Sequence, residues 1–336
     1  MCFALFNLIH LIKEERESTK IIFQREEIME KKILVAIDGS VFSSNSLDYL
    51  IRLFAHDNET IVHLLAVVSS AGSDQNWMFD VDPLRAPSPA MEAKTRVADK
   101  YLQDARQRLL RNGFTEDRVN TLTTSSRANI ATAIHHTAVQ GNYDALLIGR
   151  RGMGKVGEMF FGSVSSQLLE SCHEVPLWII DGEVTSTRFL LAVHALPVSL
   201  MAADHLSFIL HANPEAEIFL YHSSQFFGNV PKASPEDFYG QWGEEWCAQH
   251  LDLENNLYGA HTQILIEGGV NKERIKQLDV QSGFDASHDL LRKAKKHHCG
   301  TIVLGRRGRE TNKGFFGGVS DRTTQKAQNQ AVWLVG

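Results

Sequence analysis

The sequence has few cysteines, no long apolar segment and no excess of positive charge. Four cysteines are spread along 336 residues without a C-x-x-C pair, which excludes a disulfide framework or zinc ribbon and is typical of a reducing compartment. No apolar stretch reaches the roughly 18 residues that a membrane-spanning helix needs. The formal net charge of −6 does not favour binding to nucleic acid or to an anionic membrane. We therefore expect a cytoplasmic protein with no nucleic-acid partner and no stable membrane span.

Several signatures of catalytic and cofactor sites are also absent. The sequence contains no Walker A loop, no G-x-G-x-x-G after the first predicted strand, no H-E-x-x-H and no G-x-S-x-G. Adjacent histidines occur at 135–136 and 297–298, near the ends of predicted helices, where a partly positive imidazole complements the helix dipole. We interpret them as structural residues and predict no metal site.

The first 28 residues differ in character from the rest of the chain. A short apolar run is followed by a charged segment, without the basic residue before it or the small-residue cleavage site after it that a secretory signal needs. Met29 leads directly into a predicted strand. We expect residues 1–28 to be an over-long gene start or a loose appendage, and an amphipathic helix on a membrane or partner is the alternative.

The chain repeats itself. LIGRRG at 147–152 recurs as VLGRRG at 303–308, and FFGSVS at 160–165 is echoed by FFGGVS at 315–320. Gly149 and Gly305 are 156 residues apart, and the same offset relates the first apolar strands of the two halves. A constant offset at both ends of the unit indicates a duplicated domain. We place the two domains at 29–183 and 184–336.

Within each half, short apolar runs alternate with longer amphipathic segments. We predict strands at 33–37, 61–68, 118–123, 145–149 and 175–180, then 189–193, 216–221, 274–280, 301–304 and 331–335. Helices are predicted at 43–55, 90–112, 128–140 and 163–172, with one long helix at 236–260 in the second half. Continuously apolar strands are typical of parallel sheets covered on both faces. The pattern predicts an α/β fold of two tandem doubly wound domains.

The main chemical signal is the spacing Gly149-x2-Gly152-x9-Gly162-Ser163. It starts where a buried strand ends and finishes where a helix begins. Glycines allow close approach of a ligand to the backbone, and a helix start offers unpaired N–H groups with partial positive charge. This combination predicts a phosphate-binding loop.

Three cations, Arg150, Arg151 and Lys155, lie in or beside this loop and add positive charge. The alternative is a glycine-rich turn that serves the backbone alone. Three glycines and a serine at a strand–loop–helix junction favour the phosphate loop.

This signature, with Asp38 at the end of the first strand, resembles the nucleotide-binding branch of the universal stress protein family. The segment KILVAIDGS at 32–40 and the last strand VPLWII at 175–180 are similar to that family as well. The resemblance covers nearly everything from Met29 to Gly336, as a tandem pair. It implies a five-stranded parallel sheet in each domain, in the order 3-2-1-4-5, with the ligand at the switch point between strands 1 and 4.

The resemblance also implies the site residues. Asp38 and Val67 would hold the adenine and ribose end, and Gly162 to Val164 would bind phosphate. The full set of implied nucleotide contacts is Ala36, Ile37, Asp38, Val67, Ile148, Gly149, Arg151, Gly152, Gly162, Ser163 and Val164.

The second half departs from this pattern. At the same offset, Asp38 becomes His194 and Ser163 becomes Val319. The loss of a charge-assisted hydrogen bond weakens binding by about 1.5–3 kcal/mol. We therefore predict one competent site, in the first half, and a degenerate second half that serves as a packing partner.

Taken together, these features predict a regulatory or signalling module of the stress response. Its ligand is expected to be ATP or another adenine nucleotide, with or without Mg²⁺, and its hydrolysis at most slow. We expect the two domains to pair through their last strands, and two chains to form a homodimer. One alternative is a slow ATPase or phosphotransferase that uses Arg150, Arg151 and Lys155 as charge clamps. The other is a protein-interaction scaffold without a ligand.

Overall fold

The computed structural model describes residues 30–69, 88–126, 129–151, 161–211, 213–225, 233–283, 285–306 and 318–336. The N-terminal segment 1–28 lies outside the described residues. The N-terminal half is used below for residues 30–181, and the C-terminal half for residues 188–336.

Ten of the twelve described strands form one sheet, and the other two form a short separate pair. The strands are β1 (Lys31–Ala36), β2 (Thr60–Ser69), β3 (Val119–Ser126), β4 (Ala145–Gly149), β5 (Leu177–Ile180), β6 (Arg188–Ala192), β7 (Glu217–Tyr221), β8 (Ser223–Gln225), β9 (Ile275–Gln277), β10 (Gln281–Gly283), β11 (Thr301–Gly305) and β12 (Ala331–Val335). The parallel pair β8–β10 was not predicted.

The order of the large sheet is β3-β2-β1-β4-β5-β12-β11-β6-β7-β9. Read inward from each outer edge, each half has the order 3-2-1-4-5, so the predicted doubly wound α/β fold is confirmed. Neighbouring strands are parallel throughout, except that β5 and β12 are antiparallel. The change of direction follows from the two halves meeting through their equivalent last strands.

Helices cover both faces of the sheet. They are α1 (Val41–Phe54), α2 (Pro89–Arg111), α3 (Ile130–Gln140), α4 (Ser163–Ser171), α5 (Pro197–Leu210), α6 (Glu236–Trp242), α7 (Glu244–His250), α8 (Leu257–Glu267), α9 (Ala286–Lys296) and α10 (Val319–Lys326). Helices α1, α2, α5 and α8 contribute to one apolar core, and α3, α4 and α9 contribute to the other. None of these helices is long and apolar enough to cross a membrane.

The single long helix predicted for 236–260 is wrong. The segment forms α6 and α7, then a turn, and only then α8. Gly243 separates α6 from α7 with a φ of +77°, a left-handed conformation that ends a right-handed helix. A bridge between Asp252 and Asn256 closes the turn before α8. The apolar periodicity continues through both breaks because all three helices face the same core.

The seam between the halves is built on two stacked tryptophans. Trp178 of β5 and Trp333 of β12 are paired in register, with ring centroids 3.9 Å apart and planes within 3° of parallel. Both side chains are fully buried. Tyr49 of α1 shares a 2.8 Å hydrogen bond with the Thr301 hydroxyl across the seam. His205 of α5 accepts a 3.2 Å hydrogen bond from the Trp178 indole N–H.

Equivalent glycines end the fourth strand of each half where a helix passes very close. A Cβ on Gly149 would lie 3.0 Å from the Cβ of Phe42 in α1. A Cβ on Gly305 would lie 2.2 Å from the carbonyl oxygen of Val198 in α5. Packing therefore favours a glycine at the end of β4 and requires one at the end of β11, whether or not a ligand binds.

The pH dependence of stability tests the buried state of His205. Burial lowers the pKa of His205 to about 3, well below the value of about 6.5 for an unfolded histidine. As the pH falls, the unfolded chain therefore protonates at His205 before the folded chain does. The contribution of the neutral, buried His205 to the free energy of unfolding is complete above pH 6.5 and is lost as the pH falls. Between pH 7 and pH 5 the wild type should lose about 2 kcal/mol more than a His205→Asn variant. Urea unfolding at both pH values measures this difference, and parallel losses in the two proteins would contradict it.

The two strand-ending glycines give a matched pair of substitutions. Gly149→Ala and Gly305→Ala should both lower the free energy of unfolding by about 1–3 kcal/mol through overpacking. Gly305→Ala should have the larger effect because its Cβ meets backbone at a shorter distance. Gly240→Ala is the control, since an added Cβ there has no atom within 4 Å. Equal stability of all three variants in urea would refute the packing role.

Candidate functional site

The residues that the sequence singled out lie at one edge of the sheet, where parallel strands end together. Strand β1 lies between β2 and β4, with Ala36 opposite Leu65 and Val35 opposite Leu147. The chain order reverses between β1 and β4, and open α/β sheets bind ligands at this kind of switch point. Gly149 is the last residue of β4, Asp38 lies two residues past the end of β1, and Val67 lies two residues before the end of β2.

Asp38 is fixed in place by the turn that starts α1. The Ser43 hydroxyl donates a 2.5 Å hydrogen bond to Oδ1 of Asp38, and the Ser40 N–H donates a 3.0 Å bond to the same oxygen. The Asp38 N–H in turn donates to the Ser43 hydroxyl at 3.1 Å. These hydrogen bonds give the carboxylate a defined position beside the switch point.

Tyr101 of α2 borders Asp38 and is not among the predicted site residues. A Cβ on Gly39 would lie 3.0 Å from Cδ1 of Tyr101, so the ring packs against this turn. Burial raises the pKa of the Tyr101 phenol, and the charges of Asp38 and Asp99 raise it further. The signal in the sequence was an aromatic residue next to the buried positions of an amphipathic helix, which is ordinarily read as core.

The start of α4 is joined directly to the end of β4. The Gly162 N–H donates a 3.0 Å bond to the Arg150 carbonyl, and the Ser165 hydroxyl donates a 2.8 Å bond to the Gly149 carbonyl. Gly162 is the N-cap residue and supplies no side-chain cap, and no acidic residue occurs in the first turn. The first amides of α4 consequently have no acceptor within the helix, next to an exposed Ser163 and a half-buried Val164.

Arg151 lies on the same edge in a defined position. Its guanidinium stands over the Phe42 ring, 5.4 Å from the centroid, and forms a 3.5 Å ion pair with Asp181. Its side chain remains 17% exposed. Ala36 is half-buried beside Ile37, while Ile148 is buried. Gly152 and Lys155 lie outside the described residues.

Arg150 has a different place from the one the sequence suggested. It is 3% exposed, and its guanidinium donates to the carbonyls of Gln325 and Ala327, at the end of α10 in the other half. Its cation is also 3.5 Å from Asp181. Arg150 therefore joins the two halves, and its guanidinium also lies over the Phe161 ring, 5.4 Å from the centroid.

The equivalent edge of the C-terminal half has a different chemistry. His194 replaces Asp38, and its N–H donates to the Ser199 hydroxyl at 3.0 Å, as Asp38 does to Ser43. Ser199 lies 2.7 Å from Nε2 of His261 in α8. Burial lowers the pKa of His261 to about 3, so its imidazole is neutral. Ser199 is fully buried, and the pair fills the interior without presenting a nucleophile.

The segment from α6 to α8 packs over this second switch point. Phe238, Leu251 and Leu257 line one small pocket together with His194 and His261. Phe238 is 1% exposed. Side chains of the same chain therefore enclose the position that would take a base or ribose in this half and leave only a small pocket there.

The start of α10 also differs from the start of α4. Asp321 stands in its first turn, at the position equivalent to Ser165, and accepts a 3.2 Å hydrogen bond from the Gly318 N–H. A carboxylate there satisfies the positive end of the helix and repels a phosphate. Within the described residues, no group of three or more histidine, cysteine or acidic side chains is arranged to hold a metal ion.

Comparison with known proteins gives results that agree with this geometry. Residues 29–181 match the model of the universal stress protein family. A curated universal stress protein from Mycolicibacterium smegmatis is 23% identical over 308 residues, covering 88% of this chain and 94% of that protein.

Solved structures show the same fold along most of the chain. A universal stress protein from Archaeoglobus fulgidus aligns with a TM-score of 0.61 at 17% identity, covering 90% of this chain and 97% of that one. A protein of unknown function from Pseudomonas aeruginosa aligns with a TM-score of 0.52 at 14% identity, covering 92% and 93%. The fold is that of solved universal stress proteins, and the family model matches the N-terminal part of the chain.

Proposed function

We propose that this chain is a tandem universal stress protein, with domains at 29–183 and 184–336, that binds one adenine nucleotide in its N-terminal half. The observation that carries the proposal is the start of α4. It is uncapped by any side chain, has no acidic residue in its first turn, and is bonded to the end of β4 at the switch point. Such a helix start is an anion site, and Asp38 stands at the end of the adjacent strand.

In this proposal the two ends of the nucleotide meet different groups. Asp38, fixed by Ser43 and Ser40, accepts hydrogen bonds from the ribose hydroxyls or the base. Val67 offers backbone groups at the end of β2, and Ala36 and Ile37 lie against the base. Asp38 is rigid before the ligand arrives, so little ordering is needed on binding.

The phosphates would follow the path from the end of β4 to the start of α4. Ile148, Gly149 and Arg151 would line the beginning of this path, and Gly152, outside the described residues, is assigned to it by the resemblance alone. The amides of Gly162, Ser163 and Val164 and the Ser163 hydroxyl bind the terminal phosphates. Mg²⁺, where present, would come with the nucleotide.

The C-terminal half is proposed to bind no nucleotide. Its switch point has an imidazole in place of a carboxylate and is covered by Phe238 and its neighbours, and Asp321 stands at the helix start. This contrast between two equivalent edges supports a single site per chain.

A bound nucleotide would act as a conformational ligand in a stress-response pathway. Arg150, one of the three cations that a phosphotransferase mechanism would use, is directed to α10. That observation favours a binding module over an enzyme. The homodimer stays a prediction, and β5 and β12, the expected assembly strands, pair with each other within the chain.

Calorimetric titration with ATP tests the site and its uniqueness. The wild type should take up about one equivalent, Asp38→Asn should weaken binding roughly ten- to hundredfold through loss of a charge-assisted bond, and Ser163→Ala a few-fold. His194→Ala and Ser320→Ala are matched controls at or next to the equivalent positions and should leave the affinity unchanged. Two equal sites per chain would contradict the proposal. A wild type that binds none of ATP, ADP, AMP or cyclic AMP would favour the scaffold alternative.

A further inference from the structure

A buried arginine of the C-terminal half reaches into the N-terminal half and forms hydrogen bonds with the C-terminal end of α4. Arg306 follows β11 directly and is 2% exposed. Its guanidinium donates a 2.9 Å hydrogen bond to the Leu169 carbonyl and a second bond to the Cys172 carbonyl. These carbonyls belong to the last turn of α4 and the residue after it.

The same contact occurs in the opposite direction. Arg150, which follows β4, donates to the carbonyls of Gln325 and Ala327 at the end of α10. The arginines lie at equivalent positions of the repeat, and each crosses the seam to the other half. The exchange explains why the arginine is present after both fourth strands, although only one of the two edges has the features of a nucleotide site.

The contact has a direct electrostatic consequence for α4. The last carbonyls of a helix have no partner within it and carry partial negative charge. A buried guanidinium satisfies two of them at once with fixed geometry, which a lysine cannot reproduce. Helix α4 is therefore held at its start by the end of β4 and at its far end by a residue of the other half.

We propose that Arg306 is a positioning residue for the phosphate end of the nucleotide site, and that the C-terminal half thereby helps to hold the site of the N-terminal half in its binding geometry. This inference rests on the proposed function. The phosphate-binding amides belong to a nine-residue helix, so a displacement at its far end moves them as a unit. Arg306 touches no part of the ligand and acts only through α4.

A positioning role for Arg306 predicts an effect on binding of the phosphates and no effect on binding of adenosine. Arg306→Met should weaken ATP binding about three- to tenfold while leaving adenosine binding unchanged. Arg306→Lys retains the charge without the paired hydrogen bonds, and its ATP affinity should lie between those of the wild type and Arg306→Met. Amide hydrogen exchange at the start of α4 should be faster in Arg306→Met without nucleotide, with exchange in β1 unchanged.

A variant that weakens the seam elsewhere is the matched control. Tyr49→Phe removes the cross-seam hydrogen bond to Thr301, and Tyr49 belongs to α1 and not to α4. It should leave the ratio of ATP to adenosine affinity at the wild-type value. Calorimetric titration of the full-length proteins with ATP and with adenosine gives these ratios.

Each outcome separates the two proposals. A wild type that binds ATP, with an unchanged affinity ratio in Arg306→Met and Arg306→Lys, would overturn the positioning role and leave the proposed function intact. An equal loss of affinity for ATP and for adenosine would also overturn the positioning role, because such a loss would indicate general destabilisation of the protein. A wild type that binds neither ligand would overturn the proposed function, and this inference with it. If Arg306→Met does not fold, Arg306→Lys alone must show the selective loss of ATP affinity.

Discussion

The antiparallel pairing of β5 with β12 is the constraint on which the rest of the structure depends. It places Trp178 on Trp333 at 3.9 Å with both rings fully buried, and it turns two five-stranded sheets into one of ten strands. The same pairing brings each fourth strand close to the other half's last helix. Because of this arrangement, Arg150 and Arg306 can each reach across the seam to the last helix carbonyls of the other half. Packed and hydrogen-bonded groups thus connect the proposed ligand edge of the N-terminal half with the equivalent edge of the C-terminal half.

The two halves keep the same framework with different chemistry at the ligand edge. Gly149 and Gly305 are both retained because a helix passes too close for a Cβ, whatever the edge binds. Ser43 and Ser199 are both retained as acceptors for the turn after the first strand, but one supports a carboxylate and the other a buried imidazole. Packing alone therefore accounts for Gly149 and Gly305. Asp38 and the acid-free start of α4 are the features on which the proposed nucleotide site depends.

Much of this architecture could be predicted from the sequence because apolar runs, their spacing and the internal repeat carry it. The strand order and most element bounds agree with the structure, whereas the helix predicted at 236–260 hides two breaks within one apolar face. The role of Arg150 could not be predicted, since adjacency to a glycine loop says nothing about where a long side chain points. The repeat contained a clue: an arginine kept at 306, in a half without Asp38, argues for a role other than phosphate binding. Tyr101 escaped notice because a half-buried aromatic in an amphipathic helix looks like core.

The central claim is that one nucleotide lies between Asp38 and the start of α4, and nowhere in the C-terminal half. A crystal structure of the full-length protein grown with ATP tests it most directly. The account predicts electron density for one nucleotide per chain, with its phosphates against the amides of Gly162 to Val164 and with Phe238 still in place over His194. Nucleotide density beside His194, or an N-terminal edge without density in crystals that contain saturating ATP, would contradict it.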